Sequence, residues 1–483
     1  MNALLTLILV IVIIAQGEIA GCLPAAAVEH GASLAAHERM NDTGAPGDAQ
    51  IRGTSDQDRE SSFVRTVMAL LETQFVRPIS ERQLIESTLK KITLILPPHC
   101  TESLDPVEEC LDPPGRCLME SLRSVSNSCS IELDRVVLGA LRIMLKNVDP
   151  NAALLDPTML QELKISVSGR FGGVGMVVTE RDGDYVVISP FDGSPAYRAG
   201  IRPGDTILEI DGHQLHGLPL LEVLRMVRGP AGSKLSLTVR NAKTGRIERM
   251  HLKRLVISVP PVRYAMFQGA MGYLRIVNFQ ENTAAQVGKA LQRMRDSTRS
   301  GLKGLILDLR DNPGGLFDEA ILVANLFVSS GLITSIKGRG AKPENEFFAS
   351  REGALPAVPT VVLINKGSAS GSEILAGALQ GKPHVLVLGE RSFGKASVQA
   401  VFPLGKDMAL RLTTAHYYTA DGRDIEGQGL EPDVYVESPE DLGRDEVGKP
   451  RPEAIEEDPV VRKALEFLER GNLSNRSPFF TWY

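Results

Sequence analysis

The chain has 483 residues, 43% hydrophobic and 23% charged, an ordinary globular composition that excludes a fibrous or largely disordered protein and allows about three domains. Its net charge of -6, with Lys and Arg scattered rather than clustered, leaves no basic footprint, so no nucleic-acid partner is expected.

Residues 1–15 are almost wholly apolar but too few to cross a bilayer, which takes about 20 residues, so 1–27 is read as a signal peptide. Ile19-Ala20-Gly21-Cys22 resembles the bacterial lipobox, which would make Cys22 the lipidated first residue of the mature chain. Cleavage after Ala25-Ala26-Ala27 is the alternative. Either route implies an exported, periplasmic protein whose only membrane attachment would be the lipid. Residues 28–60, rich in Gly, Ala, Asp and His without apolar periodicity, read as a flexible linker.

An N-terminal helical region is expected over 61–164. Phe63, Val64, Val67, Met68, Leu70 and Leu71 recur at helical spacing, and similar patterns run over 80–94 and 131–145. These helices, or those at the C-terminus, could pair two copies of the chain as a homo-oligomer. The Pro-bearing stretch 97–130 reads as an insertion and holds Cys100, Cys110, Cys117 and Cys129. In an exported chain four cysteines predict two disulfides, and spacing leaves all three pairings open. A zinc site is the competing reading; without a C-x-x-C pair and with only His99 nearby, no metal is expected.

From Gly172 the pattern turns to short β-type runs, 174–179, 184–188, 206–210 and 235–240, interrupted by a helix over 219–227. Phe171-Gly172-Gly173-Val174-Gly175, then Ser194-Pro195-Ala196-Tyr197-Arg198-Ala199-Gly200-Ile201, Gly204-Asp205 and Asp211-Gly212 resemble in order a PDZ domain of the bacterial permuted kind, over 165–257. That resemblance implies capture of a chain end as an added strand, its carboxylate held by backbone N–H groups of a loop at Gly172, Gly173, Val174 and Gly175. Glycine suits such a loop because the backbone must turn tightly and approach the ligand. Arg228, just past the helix, matches a basic position that could touch the next domain and regulate it; an exposed arginine capping the helix is the alternative.

Beyond Pro260, strands expected over 272–277, 304–309, 360–364 and 385–388 alternate with helices over 284–294, 318–327 and 370–380, which indicates an α/β layered domain over 258–437. The runs Leu305-Ile306-Leu307 and Val361-Val362-Leu363-Ile364 suit strands covered on both faces. A polar tail, 438–483, contains a short helix at 460–468.

Asn365-Lys366-Gly367-Ser368-Ala369-Ser370-Gly371-Ser372-Glu373-Ile374 puts small residues after a buried strand and before a helix, where a hydroxyl meets the positive end of the helix dipole and unpaired N–H groups. Serine-rich turns also simply cap helices. A second segment, Gly389-Glu390-Arg391-Ser392-Phe393-Gly394-Lys395-Ala396-Ser397-Val398-Gln399, lies 25 residues on, from Ser370 to Lys395. A third, Asp308-Leu309-Arg310-Asp311-Asn312-Pro313-Gly314-Gly315, ends in paired glycines, and Gly427-Gln428-Gly429-Leu430-Glu431-Pro432-Asp433 closes the domain.

Together these segments resemble the C-terminal processing (tail-specific) peptidases, from about Phe63 to Val436. The resemblance implies a crotonase/ClpP-like α/β peptidase core with an inserted PDZ domain and an N-terminal helical region. It implies a serine endopeptidase without cofactor, acting on proteins with exposed C-terminal tails, with an adaptor lipoprotein as a further partner. Ser370 matches the nucleophile, Lys395 the base and Gln399 the glutamine that orients the amine; Gly315, with Gly314 second, and Gly371 match the oxyanion hole. A neutral lysine at pH 7 needs its pKa lowered by about three units, roughly 4 kcal/mol. Phe393 and Val398 are expected to supply an apolar collar for it. A Ser-His-Asp triad would have to recruit His384 or His416 through folding. The rival readings are a non-catalytic PDZ adaptor or carrier on a peptidase-like core, and a crotonase-type acyl enzyme.

Overall fold

The computed structural model describes residues 56–437, apart from 98–99, 101–113, 182, 192, 219, 300, 340–344, 353–354 and 406, together with 455 and 457–470. The expected signal peptide, the expected linker up to residue 55, Cys22 and Cys110 lie outside the described residues. The chain divides into two compact units, one holding 157–399 and 415 onward, the other ending at 156 and including 400–414.

In the helical unit, Asp56–Gln74 (α1), Glu81–Ile95 (α2), Pro114–Cys129 (α3) and Leu133–Val148 (α4) share one apolar core. Ser80 caps α2 by accepting the N–H of Gln83. The helix α3 lies within the expected insertion over 97–130. Leu118, Met119, Leu122 and Val125 are buried at three- and four-residue spacing, the stripe of a helix packed on its neighbours. Cys100 is bonded to Cys129, and Cys117 is disulfide-bonded as well. Ala153–Leu155 (β1) pairs antiparallel with Ala409–Arg411.

The second unit begins with Pro157–Ser168 (α5) and Arg170–Gly173 (β2). Then come Met176–Arg181 (β3), Asp184–Pro190 (β4), the one-turn Pro195–Arg198 (α6), Thr206–Ile210 (β5), His213–Gln214 (β6), Leu220–Val227 (α7), Lys234–Arg240 (β7), Ile247–Lys253 (β8) and Leu255–Ser258 (β9). Buried Leu235, Leu237 and Val239 alternate along β7, as a sheet with one covered face requires. Strand order is β3-β4-β5-β7-β8, so β3 is an edge, and α7 lies against it. Entry strand β2 pairs antiparallel with exit strand β9, forming a neck to the next domain.

That domain comprises Val262–Phe267 (β10), Met271–Ile276 (β11), Thr283–Asp296 (α8), Gly304–Asp308 (β12), Phe317–Phe327 (α9), Leu332–Lys337 (β13), Asn345–Phe348 (β14), Thr360–Ile364 (β15), Gly371–Leu379 (α10), Val385–Gly389 (β16), the ends of Ser397–Gly405 (β17) and Met408–Thr419 (β18) outside 400–414, Val434–Tyr435 (β19) and Pro459–Glu469 (α11). The main sheet runs β10-β11-β12-β15-β16-β19, parallel from β11 onward. Leu305, Leu307, Val362 and Ile364 pack on one face with α8, α9 and α10, whereas Ile306, Leu363, Leu386 and Leu388 pack on the other with Val460, Val461, Ala464 and Leu468 of α11. Both faces are therefore covered, which explains the uninterrupted apolar runs.

A buried ionic cluster anchors the end of β12. Arg310, 2% exposed, pairs with Asp308 at 2.7 Å and with Asp458, the N-cap of α11, at 2.8 Å. Burial alone would raise the Asp308 carboxyl, but Arg310, then Arg275, outweigh it and hold it well below the usual carboxylate range.

Candidate active site

Strand β15 ends at Ile364, the chain turns, and α10 begins at Gly371 with Ser370 as its N-cap. The turn lies beyond the carboxyl ends of the parallel strands, where α/β sheets place their sites. Its small residues have separate tasks. Ser368 Oγ donates to Leu309 O at 2.8 Å and accepts from Asn365 N at 2.9 Å, while Ser372 Oγ donates to Asn312 O at 2.8 Å. Between these two committed hydroxyls, Ser370 Oγ has no hydrogen-bond partner among the described residues and is 0% exposed. Ser370 also has φ +56° with ψ -115°, a positive-φ conformation that a non-glycine residue adopts at a cost of about 1–3 kcal/mol.

Lys395 is half-buried on the loop between β16 and β17. The hydroxyl of Tyr417, a fully buried residue of β18, lies 3.1 Å from Ser370 O and 2.9 Å from Lys395 O, which ties the two backbones together. Gln399 is 1% exposed, and neither amide atom has a partner among the described residues. Leaving such an amide unsatisfied costs about 1–3 kcal/mol per group.

The turn after β12 approaches from the other side. Asn312 holds it by donating from Nδ2 to Ile276 O at 2.9 Å and accepting Gly314 N at 2.9 Å through Oδ1. Gly314 thus has its N–H engaged, whereas Gly315 donates its N–H to no described acceptor. Gly371, the first residue of α10, has no acceptor one turn back. A Cβ on Gly314 would lie 2.7 Å from Ser370 Cβ and 2.8 Å from Gly371 N, so the two turns are in contact.

Residues 270–436 match the family model for peptidase family S41, and 186–241 match that for the PDZ domain. The chain is 40% identical over 306 residues to a carboxy-terminal-processing protease of Bartonella bacilliformis, covering 63% of this chain and 70% of that one. It is 31% identical over 392 residues to a probable CtpA-like serine protease of Staphylococcus aureus, covering 80% and 77%. The chain belongs to the carboxy-terminal-processing protease family. Among solved structures, a photosystem II D1 C-terminal processing protease is 28% identical, with 81% of this chain and 97% of that chain covered at a TM-score of 0.45.

The chain is accordingly a serine-type peptidase with a PDZ domain. Within that domain the four residues expected in the carboxylate loop separate. Gly172 and Gly173 belong to neck strand β2, and Gly172 O accepts the N–H of Gly229 at 3.0 Å. A Cβ on Gly172 would lie 1.9 Å from that Gly229 carbonyl, so its glycine is set by neck packing. Val174 and Gly175 form the turn into edge strand β3, and their N–H groups donate to no described acceptor. Arg228 bonds Glu162 of α5 at 2.5 and 2.7 Å and lies over the Phe171 ring at 5.0 Å, so its described contacts are to the entry helix and neck.

The collar expected around the lysine needs correction. Val398 is buried, but Phe393 is 62% exposed, because its N–H is pinned to Ser368 O at 2.9 Å and the ring turns outward. His384 sits at the start of β16, opposite the carboxyl ends, and its carbonyl accepts Thr360 N. His416 alternates with Tyr417 along β18 and so faces away from Ser370. Two contributors escaped sequence reading, Tyr417 and Glu373. The second was visible as the acid three residues after Ser370, a position usually credited to helix capping.

Proposed function

We propose that the protein is an exported serine endopeptidase that grips C-terminal tails of protein substrates in its PDZ groove and cuts them through an acyl-enzyme on Ser370. The observation that carries this reading is the selective commitment of the turn's hydroxyls: Ser368 and Ser372 are bonded into the scaffold, and strained, buried Ser370 is not. An uncharged Lys395 amine takes the Ser370 proton, the hydroxyl oxygen attacks the scissile carbonyl, and the protonated lysine then passes its proton to the leaving amine. Water attacks the ester in turn. The N–H groups of Gly315 and Gly371 receive the developing oxyanion, and Gln399 orients the amine without stabilising its cation as a carboxylate would.

The tail would add to the free edge of β3 beside α7, with its carboxylate on the N–H groups of Val174 and Gly175. Arg228 joins this groove to α5 and serves as its regulatory contact. Arg228→Ala is expected to reduce the stimulation of cleavage by a separate tail peptide several-fold; equal stimulation in variant and wild type would remove the regulatory role. Disulfide-bonded Cys100 and Cys129 support an oxidising compartment. Lipidation at Cys22, an adaptor lipoprotein and assembly through terminal helices complete the proposal.

The test is cleavage of peptides that differ only at their C-termini, by the wild type and by Ser370→Ala. Tail-dependent cleavage by the wild type alone supports the reading. Tail binding with no cleavage by the wild type would instead show an adaptor.

A further inference from the structure

One carboxylate holds together the two catalytic segments. Glu373 lies on the first turn of α10 and is fully buried. Its Oε2 accepts the N–H of Ser370 at 2.8 Å and the N–H of Lys395 at 2.9 Å. Its Oε1 accepts the N–H of Gly394 at 2.7 Å and the hydroxyl of Ser392 at 2.5 Å. Ser392 Oγ in turn accepts the N–H of Leu430 at 2.6 Å. A buried carboxylate would ordinarily be driven neutral, and burial does push the Glu373 carboxyl up; the Ser392 hydroxyl and three backbone N–H groups act against it.

We infer that Glu373 is a positioning residue that sets the distance between Ser370 and Lys395 by accepting a hydrogen bond from the backbone of each on a single oxygen. The inference rests on the Ser370 and Lys395 reading above. Its geometry explains why a helix cap alone is an incomplete account: capping needs only the Ser370 N–H, whereas three of the four donors come from the lysine loop, 19 to 22 residues away. The loop has little other freedom to find its place, since a Cβ on Gly394 would lie 2.6 Å from Gly429 N and Gly427 N donates to Gly394 O. Four converging donors also require an acceptor-only group, which an ionised carboxylate is and an amide is not.

Glu373→Gln keeps the shape but turns an NH2 group toward two donors. Its kcat is expected to fall by about 100-fold, the scale of a displacement near 1 Å between reacting groups, with KM within about 2-fold of the wild type. Ser392→Ala removes one donor, leaves Oε2 untouched, and is expected to lower kcat by a smaller factor, again at constant KM. Steady-state kinetics on a tail-bearing peptide give both numbers, with circular dichroism to confirm folding. A folded Glu373→Gln with wild-type kcat, or a loss confined to KM, overturns the inference. Should Glu373→Gln not fold, Glu373→Asp decides, because it keeps the carboxylate but shortens its reach to both backbones; an unchanged kcat there refutes the inference. Ser370→Ala is run alongside: cleavage by that variant defeats the underlying reading, whereas an inactive Ser370→Ala beside an unimpaired Glu373→Gln defeats the positioning role alone.

Discussion

Lys395→Ala and Lys395→Arg are both expected to lose about 10²- to 10⁴-fold in kcat, the usual contribution of a positioned general base, while binding tail peptides as the wild type does. The arginine variant separates the two roles a lysine can have here. If Lys395 served as a fixed positive charge, guanidinium would replace it well. A base must shed its proton, and arginine stays protonated at any workable pH. The backbone of Lys395 is fixed from two sides, since Glu373 takes its N–H and Tyr417 reaches its carbonyl. Retention of activity by Lys395→Arg would remove lysine from the chemistry.

Gly315→Ala should be nearly as damaging. Gly315 has φ +147°, and a Cβ there would lie 2.0 Å from the Phe279 carbonyl oxygen and 2.6 Å from its carbon. Both are backbone atoms, bound through Phe279 N to Gly314 O at 2.8 Å and through Leu316 N to Phe279 O at 2.6 Å, so neither can yield without moving the strap. The backbone that carries the Gly315 N–H, the proposed oxyanion donor, is then displaced. Losing one oxyanion donor costs about 10²- to 10³-fold in kcat. Gly301→Ala is the control: it has positive φ, but nothing lies within 4 Å of its Cβ. It should keep full kcat. Equal kinetics for the two variants would show that Gly315 contributes only to folding.

The candidate site is legible in residue order alone. Two segments 25 residues apart, each following an apolar strand, mark Ser370 and Lys395 as candidates, and paired glycines after Asp308-Leu309-Arg310 mark Gly315. Such features are local: strand, turn and helix are written in short windows of apolar spacing and small residues. What escaped was non-local. Glu373 looks like a capping acid until the lysine loop is folded onto it, and Tyr417 looks like one more aromatic in a β-run until β18 places it beneath both carbonyls. Phe393 is exposed despite its hydrophobic ring, because one exposed aromatic on a backbone-pinned loop breaks no physical rule. Gly172 suits a ligand loop by residue type, since glycine permits close approach, and its close neighbour in the structure is the Gly229 carbonyl. The helix α3 holds Cys117 and Cys129, and its buried stripe repeats with ordinary helical spacing.

The central claim is that the peptide acyl group passes through Ser370, and the most direct measurement is mass spectrometry of the enzyme quenched during turnover of a tail-bearing substrate. The account predicts a transient acyl adduct on the segment containing Ser370, absent from Ser370→Ala. An adduct on Ser368, Ser372 or Ser397, or turnover by Ser370→Ala at the wild-type rate, would contradict it.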